Sequence, residues 1–346
     1  MRNDFISVIP PGPGGVFDYA HLMGRGLDAP VVELAADSRI DGYGGRLLCL
    51  HFSGYGFQKR GVPFWLLRAM REMRPRFDNI GIVFHELFAT GPPWRSAFWV
   101  SGMQKHIARE LLGLADFWIT SREGSARWLH GVQKREVPHR VLPIFSNVGE
   151  PDPVDQPRQP RLVVFGTREV REKAYAWQDG EIFRCAQRLG LRIHDIGASF
   201  AAGTLIAARL GQAEAVVHGK LPAEAVSALL SESSHGVVAY QLHFVAKSGI
   251  FAAYAAHGAC PVLLAPSYEE ADGLVAGRHY LAGFESVGQP SFDAALIGRQ
   301  ARDWYQPHCI AVHQAALLEL DAEARRAKSL PLASAPAAAH GLGTQR

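Results

Sequence analysis

The feature that most limits what this chain can fold into is a rhythm that runs twice. Short apolar runs rich in branched residues alternate with segments of helical period: FISVIP, RLLCLHF, NIGIVFHE and DFWITS in the first half, then RLVVFG, LRIHDIG, EAVVHG, HGVVAY and CPVLLA in the second. Near-continuous apolar strands suit a parallel sheet, which is buried on both faces, and parallel neighbours need a crossover that is usually a helix. After the first run, Val16, Ala20, Met23 and Leu27 mark the buried stripe of such a helix. Two doubly wound, Rossmann-like α/β halves are therefore predicted. Between them RVLPIFSNVGEPDPVDQPRQP carries five prolines and reads as a linker. The length of 346 residues matches two domains of roughly 150 each. The boundary is expected near 147–160, with one domain over 1–150 and a second over 151–302. Within the first, Ser101 with Gln104 reads as a capping box opening a helix through Leu112. A last helix is expected from Asp303 to Ala322, inside a segment 303–325 that packs back on the first domain. The Ala-, Pro- and Gly-rich tail 329–346 is expected to be disordered.

Composition removes several function classes. At 48% hydrophobic and 20% charged the chain has the balance of a globular protein. Its net charge of +3, from 36 basic and 33 acidic residues, is too small an excess to call for nucleic acid. Cys49, Cys185, Cys260 and Cys309 lie far apart without a CxxC or Cys/His cluster, which argues against a disulfide framework and structural zinc. A reducing compartment fits. No run approaches the roughly 18 apolar residues that span a bilayer, and the N-terminus lacks a signal-peptide core, so a cytoplasmic protein is expected.

Ligands of open α/β sheets bind beyond the carboxyl ends of strands, so the residues after each run are the candidates. Gly12-Pro13-Gly14-Gly15 leads straight into a helix, where small residues let backbone N–H groups approach an anion; the same loop also reads as a tight turn needing positive φ. It lacks the GxGxxG spacing of a nicotinamide site. His85 and Glu86 close the third run ahead of a Gly-Pro-Pro loop. An imidazole there suits hydrogen bonding to a sugar or proton movement near neutral pH, and the alternative is a histidine bonded to a loop carbonyl. A zincin pair would need a second histidine where Ala89 stands, so no metal site is expected.

In the second half Lys247, Ser248 and Gly249 set an amine, a hydroxyl cap and free amides at a helix start, which makes either a diphosphate site or a plain cap beside a solvated lysine. GTREVREKAY offers Arg168, Arg171 and Lys173 after the first strand of this half, for phosphate oxygens or as a solvated face. The segment QKRGVPFWLLRAMREMRPRF interleaves Lys59, Arg60, Arg68, Arg71, Arg74 and Arg76 with apolar residues. This basic amphipathic helix near residues 59–76 reads as a peripheral membrane contact, or as a core-facing helix with a basic exterior.

With these residues in place, the chain resembles the GT-B glycosyltransferases, in particular the family-four type of retaining enzymes. PGPGGVFDYAHLM resembles their glycine-rich first loop; VFHELFATGPPWRSAFWVSGMQKHIARELLGLADFWITSRE resembles their histidine strand and the strand that follows it; VLPIFSNVGEP resembles the hinge. HGKLPAEAVSALLSESSHGVVAY with AAYAAHGACPVLL resembles their nucleotide-binding half, and the likeness runs over residues 8 to 320. It implies that Gly14 and Gly15 approach the diphosphate and that His85 lies beside the transferred sugar. It also implies that basic residues after RLVVFG join the Lys247 loop on phosphate, and that Gly219 and Lys220 lie near the base. One departure matters. The family's two glutamates, eight residues apart, would fall at Val245 and Ala253.

The implied activity is a hexosyltransferase-like one. It moves a sugar from a nucleotide diphosphate donor to a saccharide, lipid-linked or other hydroxyl acceptor in polysaccharide biosynthesis, with retention implied by the resemblance. No cofactor or metal is expected, because amides, a helix end and Arg or Lys can neutralise the leaving diphosphate. Two alternatives stay open: a nucleotide-sugar epimerase or hydrolase of the same fold, and a non-catalytic nucleotide-sugar-binding partner subunit.

Overall fold

Every strand pairing in both sheets is parallel, as continuous apolar runs demand. The computed structural model describes residues 4–90, 94, 96–152 and 157–329. The first sheet holds β1 (Phe5–Ile9), β2 (Val31–Glu33), β3 (Gly45–Ser53), β4 (Phe77–Glu86), β5 (Phe117–Thr120) and β6 (His139–Val141) in the order β2-β1-β3-β4-β5-β6. Its crossovers carry α1 (Gly15–Leu27), α2 (Gly54–Phe57), α3 (Phe64–Met73), α4 (Ser96–Leu114) and α5 (Glu123–Val132). The second sheet holds β7 (Gln159–Phe165), β8 (Arg192–Ile196), β9 (Val216–Gly219), β10 (Ser233–Ala239), β11 (Cys260–Leu264) and β12 (Leu281–Ala282) in the order β12-β11-β10-β7-β8-β9. With it come α6 (Arg168–Ala176), α7 (Glu181–Leu189), α8 (Leu205–Gln212), α9 (Ala223–Glu232), α10 (Gly249–Ala256), α11 (Ala294–Tyr305) and α12 (Ile310–Ser329). Strand order reverses between β1 and β3 and between β7 and β10, which opens a crevice at the carboxyl end of each sheet.

Three strands escape the sequence rhythm. β2, β6 and β12 are edge strands of two or three residues, too short to show a period. Helix α4 begins at Ser96, so Ser101 lies inside it rather than at its cap. The single last helix expected over Asp303–Ala322 is two, α11 and α12, because Pro307 sits in a tight turn over Gln306–His308. The expected tail lies, from residue 330 onward, outside the described residues, as do 153–156 of the linker and the Gly-Pro-Pro loop at 91–93.

The basic segment forms a core-facing helix with a basic exterior. Leu66, Leu67, Met70 and Met73 of α3 are buried against the sheet. Arg68 pairs with Glu72, Arg71 with Glu110 and Arg74 with Asp116, while Arg76 donates to the Ile40 carbonyl. Its apolar stripe is therefore spent on the core. No helix among the described residues is long and apolar enough to cross a membrane.

Helix α12 leaves the second sheet and packs on the first. Its Asp321, fully buried, pairs with Arg46 and accepts from Asn79 Nδ2 at 2.7 Å, with Arg325 at 3.3 Å. Lys328 donates to Asn79 Oδ1 at 2.6 Å, and Arg140 pairs with Glu323 at 2.8 Å. Replacing Asp321 by alanine would strand Arg46 and Asn79 together. The expected cost is about 3 kcal/mol, since breaking a buried pair leaves its partner uncompensated. Urea denaturation reads it as a lower midpoint at unchanged slope, and an unmoved midpoint would show the contact to be idle.

Candidate functional site

The period-two alternation of β3 puts Cys49, His51 and Ser53 on one face, and the pairing of His51 with Val83 carries that face onto β4. Register then slips. Phe52 pairs with Phe84 but Ser53 with Glu86, so His85 is the extra residue of a bulge, a device that re-aims a side chain. His85 lies partly buried, its Nε2 3.3 Å from His51 Nδ1, and His51 Nε2 lies 3.8 Å from Cys49 Sγ. Tyr19 of α1 meets His85 edge-on with ring centres 4.8 Å apart and stacks on Phe145 of the linker at 4.5 Å. The Tyr19 hydroxyl lies 2.6 Å from His313 Nδ1 of α12, and His313 Nε2 lies 2.9 Å from the Pro143 carbonyl. A carbonyl only accepts, so Nε2 carries the proton and Tyr19 donates to Nδ1.

Burial drives His85 down to about 4, opposed by Glu86 and helped by His313 and Lys247. Burial, with His85 beside it, holds His51 well below its ordinary value too. Both rings are neutral near neutral pH.

Across the cleft, the turn Leu242–Lys247 after β10 brings Lys247 Nζ to 2.9 Å from Glu86 Oε1. Ser53 Oγ donates to the other carboxylate oxygen at 3.2 Å. Burial raises the Glu86 carboxyl, but Lys247 and Ser53 outweigh it and hold the group below its ordinary value. Phe244 of the same turn lies between two cations, with Arg122 4.2 Å and Lys247 5.3 Å from its ring centre. Arg122 also donates to the His243 carbonyl at 2.8 Å.

Phe244 and Lys247 separate two cavities. One, of about 260 Å³, is lined by Tyr55, His85, Glu86, Arg122 and Trp128. The other, of about 700 Å³, is lined by Lys173, Trp177, Gln178, Tyr240 and Pro266. At its rim Gln178 and Asp179 take positive φ of 43° and 54°, a strained backbone for residues with a side chain.

The remaining candidates divide. The loop residues Gly14 and Gly15 are exposed at the start of α1; a Cβ on either would meet open space, and the helix has no side-chain cap. Gly12 N–H is already taken by Glu33 at 3.0 Å. Ser248 caps α10 by accepting from Phe251 N–H. A Cβ on Gly249 would lie 3.6 Å from Asn147 Oδ1, and Asn147 Nδ2 donates to Asp18 in the first turn of α1 at 3.2 Å. The first turns of both helices thus approach Asn147 of the linker, and none of Gly14, Gly15, Ser248 and Gly249 lines either cavity.

Arg171 is elsewhere. It is fully buried in two bonds to Asp195, at 2.8 and 2.6 Å, and is structural rather than free for phosphate. Arg168 is exposed and donates to the Ser199 carbonyl at 3.0 Å, lining neither cleft cavity. Lys173 lines the larger one. Gly219 ends the edge strand β9, Lys220 follows it, and neither residue lines either cavity. Val245 and Ala253 are both buried. Among the described residues no group of three or more His, Cys, Asp or Glu is placed to hold a metal ion.

His51, Arg122, Trp128, Trp177, Tyr240, Phe244 and Asn147 went unremarked in the sequence. Phe244 adjoins the Lys247 cluster and Arg122 follows a strand, so both were within reach of strand-end reasoning. Nothing local marks Trp177, which precedes the positive-φ pair Gln178 and Asp179.

Two such sheets, joined so that their carboxyl edges bound one cleft, define the GT-B fold. No protein-family profile matches the chain, and no curated protein matches it in sequence. Solved structures do match. HepE from Anabaena, in complex with UDP and glucose, superposes with a TM-score of 0.55 at 10% identity, over 94% of this chain and 100% of that one. The α,α-trehalose 6-phosphate synthase of Burkholderia multivorans gives 0.53 at 13% identity, over 82% and 71%. The GtfA/B complex gives 0.52 at 11%, over 81% of this chain, which spans only 57% of the matched one. At such identities the likeness carries the fold alone.

The neutral histidines give a pH signature. His85, His235, His257 and His313 are each lowered to about 4, with burial the largest cause. An unfolded chain takes up these protons near pH 6.5 while the folded one refuses them until about pH 4. Stability should therefore be full above pH 6.5 and fall steadily toward pH 4. Urea midpoints at pH 7, 6 and 5 measure it; a flat series would mean that the histidines titrate freely in the fold.

Proposed function

We propose that the protein is a glycosyltransferase that moves a hexose from a nucleotide diphosphate donor in the cleft to a saccharide or lipid-linked hydroxyl. The observation that carries this reading is the meeting of Lys247, just ahead of the α10 start, with Glu86 beside His85, while the first turns of α1 and α10 both approach Asn147 of the linker. Helix starts and an ammonium are suited to diphosphate oxygens, whose charge grows as the sugar departs. The larger cavity, with Trp177 and Tyr240, offers aromatic surface for a base. The smaller one, with Tyr55 and Trp128, suits the acceptor. Neutral His85 serves as a hydrogen-bonding group at the transferred sugar. Retention and metal-independent departure belong to the same reading and are supported by the family resemblance.

A second reading is a non-catalytic nucleotide-sugar-binding subunit, favoured by the burial of Val245 and Ala253 where the resembling enzymes carry glutamates. A panel of nucleotide sugars read by thermal shift, followed by release of the nucleoside diphosphate with and without a hydroxyl acceptor, tests both. Binding without release selects the second reading, release independent of acceptor selects a hydrolase or epimerase, and no binding removes the proposal.

The ion pair implies a competition. Lys247 is paired with Glu86, so a diphosphate bound by Lys247 competes with a carboxylate. Lys247→Ala should weaken nucleoside diphosphate binding by about 1.5–3 kcal/mol, the range for bonds to charged groups. Glu86→Gln, which frees Lys247, should tighten it. Calorimetric titration of both variants decides, and equal affinities in all three proteins would place Lys247 outside the site.

His85→Ala should depress turnover far more than nucleotide affinity, because an interaction made chiefly in the transition state is lost. A lowered melting temperature with turnover intact in the folded fraction would instead mark His85 as a core residue.

A further inference from the structure

Burying an imidazole at 1% exposure beside Cys49 and Val83 is costly where an aliphatic side chain would serve, unless its nitrogens are used. His51 uses both. Its Nε2 meets Cys49 Sγ and its Nδ1 meets His85 Nε2. Other titratable groups around the pair are Tyr19 from α1, Glu86 from β4, His313 from α12 and Lys247 from the turn after β10. None of them can replace it. Tyr19 gives its proton to His313, and Glu86 is bound by Lys247 and Ser53. His85 Nδ1 has no partner among the described residues and His85 lines the smaller cavity, so Nδ1 is the ring atom left for the cleft.

We propose that His51 is a positioning residue of the transfer site, fixing the ring and tautomer of His85 so that His85 Nδ1–H is presented to the cleft as a donor. This rests on the reading of the cleft as the place of sugar transfer. The polarity follows from the end of the chain of bonds. Cys49 keeps its proton, burial having pushed the thiol up to about 12. An imidazole nitrogen is a better acceptor than sulfur, so Cys49 S–H donates to His51 Nε2. His51 Nδ1–H then donates to His85 Nε2, and the proton of neutral His85 resides on Nδ1. The reverse order would leave the thiol proton unpaired and ask sulfur to accept.

The test compares three variants of the full chain. His51→Asn keeps an amide N–H where Nδ1 stands; His51→Leu fills the space without it; His51→Gln carries its amide one bond further, toward Cys49, and replaces leucine as the loss variant if that protein does not fold. Ring nitrogen NMR of His85 should show a single Nδ1-protonated tautomer in the natural protein and in His51→Asn, and a tautomer mixture in the loss variant. Turnover should fall roughly ten- to hundredfold in the loss variant, from misplacement of a reacting group, with donor KM unchanged and most of the rate restored by asparagine. An unchanged His85 tautomer in the loss variant, or asparagine no better than leucine or glutamine, overturns the proposal. If no nucleotide sugar is turned over, the transfer reading fails while the NMR signals still decide what His51 does to His85.

Discussion

The fully buried carboxylate of Asp321 is the contact on which the two-sheet arrangement depends. A chain that crosses from one sheet to the next through a single linker can swing; one that crosses and returns is held at two points. Helix α12 makes the return, and Asp321 tolerates burial only because Arg46, Arg325 and Asn79 meet it there. The second point is at the linker itself. The Tyr305 hydroxyl donates to Glu150 and accepts from Ser146 N–H, and Glu150 also accepts from Ile310 N–H. Between these anchors His313 receives the Tyr19 proton, so the wall of the cleft, the linker and the returning helix share one bonded path.

Within that frame the cleft keeps two kinds of polar group apart. The histidines stay uncharged because burial outweighs every carboxylate nearby. Lys247 and Glu86, more open to solvent, stay charged and satisfy each other across the gap. Neutral imidazoles line the inner wall, therefore, while the charged pair sits beside the smaller cavity and Lys247 also borders the larger one. Phe244 lies between Arg122 and Lys247 beside that pair.

Much of the fold was legible because parallel sheets write themselves into sequence as apolar runs. The edge strands β2, β6 and β12 were not, since two or three half-buried residues carry no period. The capping-box reading of Ser101 failed because its spacing also occurs by chance inside a helix. Strand-end reasoning found His85, Glu86 and Lys247, and the fold brings these three together. It could not find His51, which lies inside a strand and acts through a bulge in the neighbouring one. Arg168 and Arg171 showed the opposite limit. A basic run after a strand looks the same whether it faces a ligand, solvent or, like Arg171, a buried aspartate.

Helix α10 carries a consequence for which substitutions this chain can accept. Phe251 through Ala256 are all buried, with Ala253 fully enclosed and Val245 nearly so. A glutamate placed at Val245 or Ala253 would enter a packed, apolar interior, a cost of several kcal/mol. Packing at this helix therefore holds both positions to apolar side chains, and a single substitution that introduces a carboxylate there destabilises the fold before it can serve as a binding group.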